Sequence, residues 1–170
     1  MNHHDMTRNM VLAALFAALT AIGAFLQIPT GTVPITLQFL FTALAGLLLG
    51  WKWGAISQLL YVGIGLLGLP VFTQGGGIGY VLQPSFGFLL GLIPAAAVIG
   101  ALTARRTGYL TVLAAVLVGD LILYAVGVPY MYLILHVYMQ SAKTFPALLA
   151  AMLVYVPGDT LKIVVVTALA

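Results

Sequence analysis

From residue 9 to residue 51 this chain carries no charge, and from 53 to 104 it carries none again. Clusters of proline and glycine interrupt these apolar blocks, and such clusters are strong local breakers of helices. The pattern predicts helix 1 over about 9–28 and helix 2 over about 35–51, separated by Pro29-Thr30-Gly31-Thr32-Val33-Pro34. After a Trp51-Lys52-Trp53 turn of interfacial character, helix 3 covers about 54–69 and stops at Pro70. The longest polar break follows, from Phe72 to Tyr80, and helix 4 runs from near Pro84 to about Thr103. Helix 5 begins near Tyr109, after the basic turn Arg105-Arg106-Thr107-Gly108, and is weakened at Gly127 and Pro129 on its way to Tyr138. Beyond the loop 139–146, the segment 147–156 is about 15 Å of helix and too short to span alone. It is either a short interfacial or re-entrant helix, or the first half of a kinked helix 6 that continues from Pro157.

Composition turns these helices into membrane spans. Of 170 residues, 63% are hydrophobic and 5% charged, and the mean hydropathy is +1.18, whereas a soluble domain has about 25% charged residues. One span takes about 20 residues, so the expectation is an all-α membrane protein, a compact bundle of six transmembrane helices in a single integral membrane domain, 1–170. The apolar run 11–28 exceeds a signal-peptide core and opens a chain apolar throughout, so it reads as a retained first helix. With six spans, Arg8, Lys52, Arg105 and Arg106 share one side and only Lys143 lies opposite. The positive-inside rule then places both termini in the cytoplasm and the glycine-rich loop outside. Cysteine is absent, which excludes disulfide and thiolate chemistry.

The candidate chemistry centres on Pro157-Gly158-Asp159-Thr160-Leu161-Lys162. Asp159 and Lys162 are three apart and share a helix face, with Pro157 suited to the first turn and the carboxylate near the positive end of the helix dipole. Charges inside a membrane segment are costly, so they usually face a protein interior or a cavity and mark a ligand or ion path. The alternative is an ion pair that only ties helices together. In the polar break, Gly75, Gly76, Gly77 and Gly79 permit positive φ and close backbone approach. With Gln74, Tyr80 and Gln83 around them, the segment is either a lid over a site or a connector. It is not a phosphate-binding loop, because no Gly-Lys-Ser/Thr follows. Asp120, one residue after Gly119, is either a proton relay or a structural hydrogen-bonding group, with the structural role favoured; His136 lies among tyrosines without a metal-ligand cluster. No serine sits in a Gly-x-Ser-x-Gly setting and no nucleophile–base pair is evident, so an enzyme is not expected. On helix 1, Ala13, Ala14, Ala17, Ala18 and Ala21 recur at spacings of four, which lets another helix approach closely.

Taken together, Val33-Pro34-Ile35-Thr36-Leu37-Gln38, Gly76-Gly77-Ile78-Gly79-Tyr80 with Pro84 and Gly87-Phe88, Gly119-Asp120, and Pro157-Gly158-Asp159-Thr160-Leu161-Lys162 resemble the BioY family across essentially the whole chain. These are the biotin-specific substrate-binding (S) components of energy-coupling factor transporters. The resemblance implies a multi-pass protein of a bacterial or archaeal plasma membrane, and biotin as ligand rather than cofactor. It implies biotin contact by Asp159 and Lys162, with Gly76, Gly77, Gly79 and Tyr80 closing the site and Gln38 as a further contact. It assigns Ala13, Ala14, Ala17 and Ala18 to docking on a T component that carries two ATPases; nucleic acid has no part. Two other readings stand beside it: an S component for another vitamin, and a proton-coupled carrier built on Asp120, Asp159 and Lys162.

Overall fold

The computed structural model describes residues 2–30 and 33–170. In chain order it holds α1 (His3–Phe25), β1 (Gln27–Ile28), β2 (Ile35–Thr36), α2 (Gln38–Leu66), α3 (Phe86–Thr103), α4 (Tyr109–Leu133), α5 (Phe145–Ala151) and α6 (Val156–Leu169). Short 3-10 turns occupy Ile78–Leu82 and Met152–Tyr155, and a π turn at Ile134–Tyr138 extends α4. Among the described residues, five stretches are long and apolar enough to cross a membrane: His3–Phe25, Gln38–Leu66, Phe86–Thr103, Tyr109–Tyr138 and Phe145–Leu169.

One of the five, α2, reverses direction within itself. In a straight helix Gln38 and Tyr61 would be about 35 Å apart, yet the Gln38 amide donates to the Tyr61 hydroxyl at 2.7 Å. Thr42 donates to Gln58 at 2.9 Å, and a Cβ on Gly54 would stand 2.9 Å from the Gly46 Cα. The pairs close on Gly50, whose φ of 78° and ψ of 177° leave the helical region; glycine takes positive φ without the penalty a Cβ would bring. Thus α2 is an antiparallel hairpin with arms 38–49 and 51–66. The sequence expectation of two helices is met, but the turn takes the single residue Gly50, while Trp51-Lys52-Trp53 already belongs to the second arm.

Close approach of small residues sets the helix packing, as it does where lipid leaves little hydrophobic drive between helices. A Cβ on Gly46 would lie 2.5 Å from the Ala96 carbonyl oxygen, and one on Gly100 would lie 2.3 Å from the Trp51 nitrogen. Together with buried Ala95, Ala96 and Ile99, these glycines seat α3 against the α2 hairpin, and α4 packs on the other side of α3. A polar knot joins α1 to both arms of α2: Gln58 accepts from Thr42 and Thr20 and donates to Ser57 at 3.1 Å. Unsatisfied polar groups cost several kcal/mol, roughly, in hydrocarbon, so these bonds are what allow four polar side chains in the core.

Several boundaries differ from the expectations. α1 runs His3–Phe25 rather than 9–28, because residues 27–28 leave the helix and pair antiparallel with 35–36, Gln27 opposite Thr36 and Ile28 opposite Ile35. Of the expected break between helices 1 and 2, Gly31 and Thr32 lie outside the described residues. The alanines of α1 divide between two faces: Ala13 and Ala17 are buried against the chain's own bundle, while Ala14 and Ala18 are exposed. Neighbours on a helix are about 100° apart, so the four do not form one outward surface; the docking expectation is corrected for Ala13 and Ala17, which pack internally. At the other end, α5 passes through the 3-10 turn into α6 without leaving helical space. The open question about 147–156 therefore resolves as a short helix leading into α6, held by Leu148, Met152 and Tyr155 against Val33, Val128, Met131 and Leu135.

The glycine contacts predict opposite effects of one substitution at two sites. Gly100→Ala should lower thermal stability, by about 1–3 kcal/mol for an overpacked contact, because the atom it meets is backbone. Gly63→Ala, with nothing within 4 Å of the new methyl group, should be neutral or gain about 0.5–1 kcal/mol from helix propensity. Thermal unfolding of both variants in detergent checks this, and equal shifts would count against the packing described.

Candidate ligand-binding site

The site is built where α2, α3 and α6 begin, against the middle of α4 and beneath two connecting segments. Pro157 in the first turn lets α6 start just after the 3-10 turn, which places Asp159 and Lys162 on its inward face. Both are buried, and the Lys162 ammonium lies 2.6 Å from Asp159 Oδ1. Burying two charges is expensive, and leaving either alone is more so. The pair is braced from outside α6: Lys162 also donates to the Thr36 carbonyl at 3.4 Å, and the Tyr124 hydroxyl on α4 donates to Asp159 Oδ2.

These groups line one side of a cavity. Its walls are Phe39, Phe88, Leu89, Leu92, Leu123 and Met152, and its polar rim is Thr36, Gln38, Thr73, Tyr80, Ser85, Tyr124 and Tyr155 with the ion pair. Apolar walls with placed polar groups that fix orientation are the usual design for a small organic ligand. Val33, Pro34 and Ile35, from the β1–β2 connection, form part of the lining. That connection is tied down by Tyr155, whose hydroxyl donates to the Val33 carbonyl and shares a 2.8 Å hydrogen bond with Thr30.

The glycine-rich segment folds over the site as an anchored cover. Phe72 is fully buried in an aromatic cluster with Tyr61, Tyr80 and Phe86, at ring-centroid distances of 4.6–6.5 Å. Its ring lies so close to Gly65 that a Cβ there would come within 2.1 Å. Gly75 and Gly77 have φ of 116° and 97°, the left-handed region that favours glycine. Gly76 presses on the Leu69 carbonyl, and the Gly77 N–H donates to Gly65 at 2.7 Å. Gly76, Gly77 and Gly79 do not line the cavity; they shape the loop that carries Tyr80 into it, where its hydroxyl meets Thr73 at 3.0 Å. From α4, the Tyr130 hydroxyl holds the Val81 carbonyl of the same cover.

Of the residues expected from sequence, Asp159, Lys162, Tyr80 and Gln38 come together. Gln38 reaches the cavity while bonding Tyr61 and accepting from Thr36 at 2.9 Å; Tyr61 in turn donates to the Val71 carbonyl at 2.8 Å. Asp120 does not line the cavity; it sits in an adjoining groove between α4 and the α5–α6 arm, which shares Tyr124, Met152 and Asp159 with the cavity. Among the described residues the Asp120 Oδ1 has no hydrogen-bond partner. His136 stacks on Tyr132 at 5.2 Å, and no His/Asp/Glu group able to hold a metal occurs among the described residues. Sequence reasoning missed Tyr124, Ser85, Phe88 as a wall, and the β1–β2 pairing. The signal for Tyr124 was Asp120: one helical turn further on, the same face of α4 points back at α6.

The BioY family model matches residues 1–170. A protein of Lysinibacillus sphaericus described as a probable biotin transporter BioY is 54% identical over 141 residues, covering 82% of this chain and 72% of its own. The biotin transporter BioY of Thermotoga maritima is 35% identical across 96% of this chain and 94% of its own. Among solved structures, the S component for biotin from an ECF-type ABC transporter superposes with a TM-score of 0.87 at 29% identity, over 99% of this chain and 92% of that one. Matched over its whole length in sequence, and along nearly all of it in fold, the chain belongs to the BioY family.

Proposed function

We propose that this chain is the biotin-binding S component of an energy-coupling factor uptake transporter. The observation that carries this reading is the buried Asp159–Lys162 pair on the wall of a covered cavity with apolar walls and a polar rim. Biotin has an apolar bicyclic body, a ureido group with two N–H donors and one carbonyl, and a carboxylate. Asp159 accepts from a ureido N–H; Lys162 donates to the ureido carbonyl or to the carboxylate; Tyr80 and Gln38 complete the rim. The names of the relatives favour biotin over another vitamin. Asp120 is not among the residues lining the cavity, though its groove adjoins it at Tyr124 and Asp159, so a ligand in the cavity meets Asp159 and Lys162 rather than Asp120.

In the membrane, the two arms of α2 count as separate crossings and α5 with α6 as one, giving six crossings with both termini in the cytoplasm of the cell. The cavity and its cover then face outside, and ligand enters from there. Inward delivery takes a T component and two ATPases, and the exposed Ala14 and Ala18 of α1 are where a partner helix could approach closely.

Two experiments test this. Truncating one partner of a buried charge-assisted bond costs about 2–5 kcal/mol, so Asp159→Asn and Lys162→Ala should each weaken biotin binding by roughly 30-fold or more. Calorimetry on purified protein in detergent reads it, and parent-like affinity in both variants would leave the pair a structural role only. For orientation, Gly79→Cys supplies a lone thiol with nothing within 4 Å of its Cβ. It should react with a membrane-impermeant maleimide on intact cells; labelling only after lysis would invert the topology.

A further inference from the structure

We infer that Tyr124 is a positioning residue for the ligand, acting through Asp159; the inference rests on the biotin reading above. A carboxylate has two oxygens and about four acceptor directions. In this site Oδ1 is taken up by the Lys162 ammonium at 2.6 Å and Oδ2 by the Tyr124 hydroxyl. Lys162 sits on the same helix as Asp159, so it cannot by itself fix the carboxylate against α4 and the cavity. Tyr124 comes from the opposite wall and lines the cavity itself, so its bond sets how the carboxylate plane is presented to a ligand. Because both neighbours donate, the remaining acceptor directions accept and do not donate. The site therefore selects a ligand N–H at that point and rejects a group that offers only lone pairs or a methyl.

The tyrosine ring is held in turn. It stands edge-to-face on Phe88 of α3, with centroids 5.9 Å apart and planes at 86°. Phe88 lies against Gly127, where a Cβ would come within 2.4 Å of the ring. The glycine that weakens α4 in the sequence thus makes room for the ring that backs Tyr124. A chain of contacts runs Gly127, Phe88, Tyr124, Asp159, and its last member faces the ligand.

The test is a double-mutant cycle with calorimetry, using biotin and its two mono-N-methyl ureido analogues. The parent should prefer biotin over at least one analogue by more than tenfold. Tyr124→Phe keeps the ring on Phe88 and should weaken biotin binding about tenfold, the size expected for losing a hydrogen bond to a charged group. It should leave the disfavoured analogue's affinity unchanged, so that the preference narrows; a structural defect would weaken both ligands alike. Added to Asp159→Asn, Tyr124→Phe should cost nothing more, because its effect passes through the carboxylate. Parent-like biotin binding in Tyr124→Phe, or losses that multiply in the double variant, would overturn the role. A parent that fails to bind biotin would overturn the functional reading first, and the two failures are distinct. Should Tyr124→Phe not fold, 4-aminophenylalanine at position 124 still donates; it should retain the parent's preference, and its loss there would overturn the proposal.

Discussion

A carboxylate and an ammonium placed beneath the surface of an apolar bundle constrain everything around them. In hydrocarbon neither can be left without partners, and removing one is far worse than removing both. The fold answers from three directions. α6 supplies the pair on one face, the strand after β1 offers the Thr36 carbonyl, and α4 offers the Tyr124 hydroxyl. Those supports exist only if α4 and the β1–β2 connection stand where they do. The position of α4 depends on its packing against α3, and that of the connection on Tyr155. The pair is thus a local feature that depends on most of the chain.

The packing that provides this order is built from small residues. Gly46 and Gly100 bring α3 and the α2 hairpin to backbone contact, Gly54 does so for the two arms of the hairpin, and Gly65, Gly87 and Gly127 each receive an aromatic ring. The first set fixes where helices cross; the second fixes where Phe72, Tyr130 and Phe88 lie, and through them the cover and the wall of the cavity. Rings gain most of their energy from buried area and from edge contacts. A ring seated on a glycine approaches closer than it could over any side chain.

How much of this could be read beforehand follows from the physics of each signal. The helices and the membrane class were legible, because nine charged residues in 170 leave no other home for the chain. Asp159 and Lys162 stood out because charge is rare there, and Tyr80 because it closes the glycine-rich run. Tyr124 was missed: its one mark was Asp120 a helical turn before it, and a shared face says little until the helix opposite is known. The strand pairing of 27–28 with 35–36 escaped because two-residue strands leave no periodicity. The alanines of α1 were seen as one stripe because spacing by four records a face but not which neighbour covers it; burial separates Ala13 and Ala17 from Ala14 and Ala18.

The reversal at Gly50 bears on which unit suits the bilayer. Each arm of α2 is shorter than the roughly 20 residues that a lone span requires, and a single residue joins them. Taken alone, the first arm would lack the cross-arm partners of its Gln38 and Thr42 side chains. Their partners, Tyr61 and Gln58, lie on the second arm. The two arms therefore meet these polar needs only as a pair, and the hairpin rather than the single helix is the unit that suits an apolar surrounding.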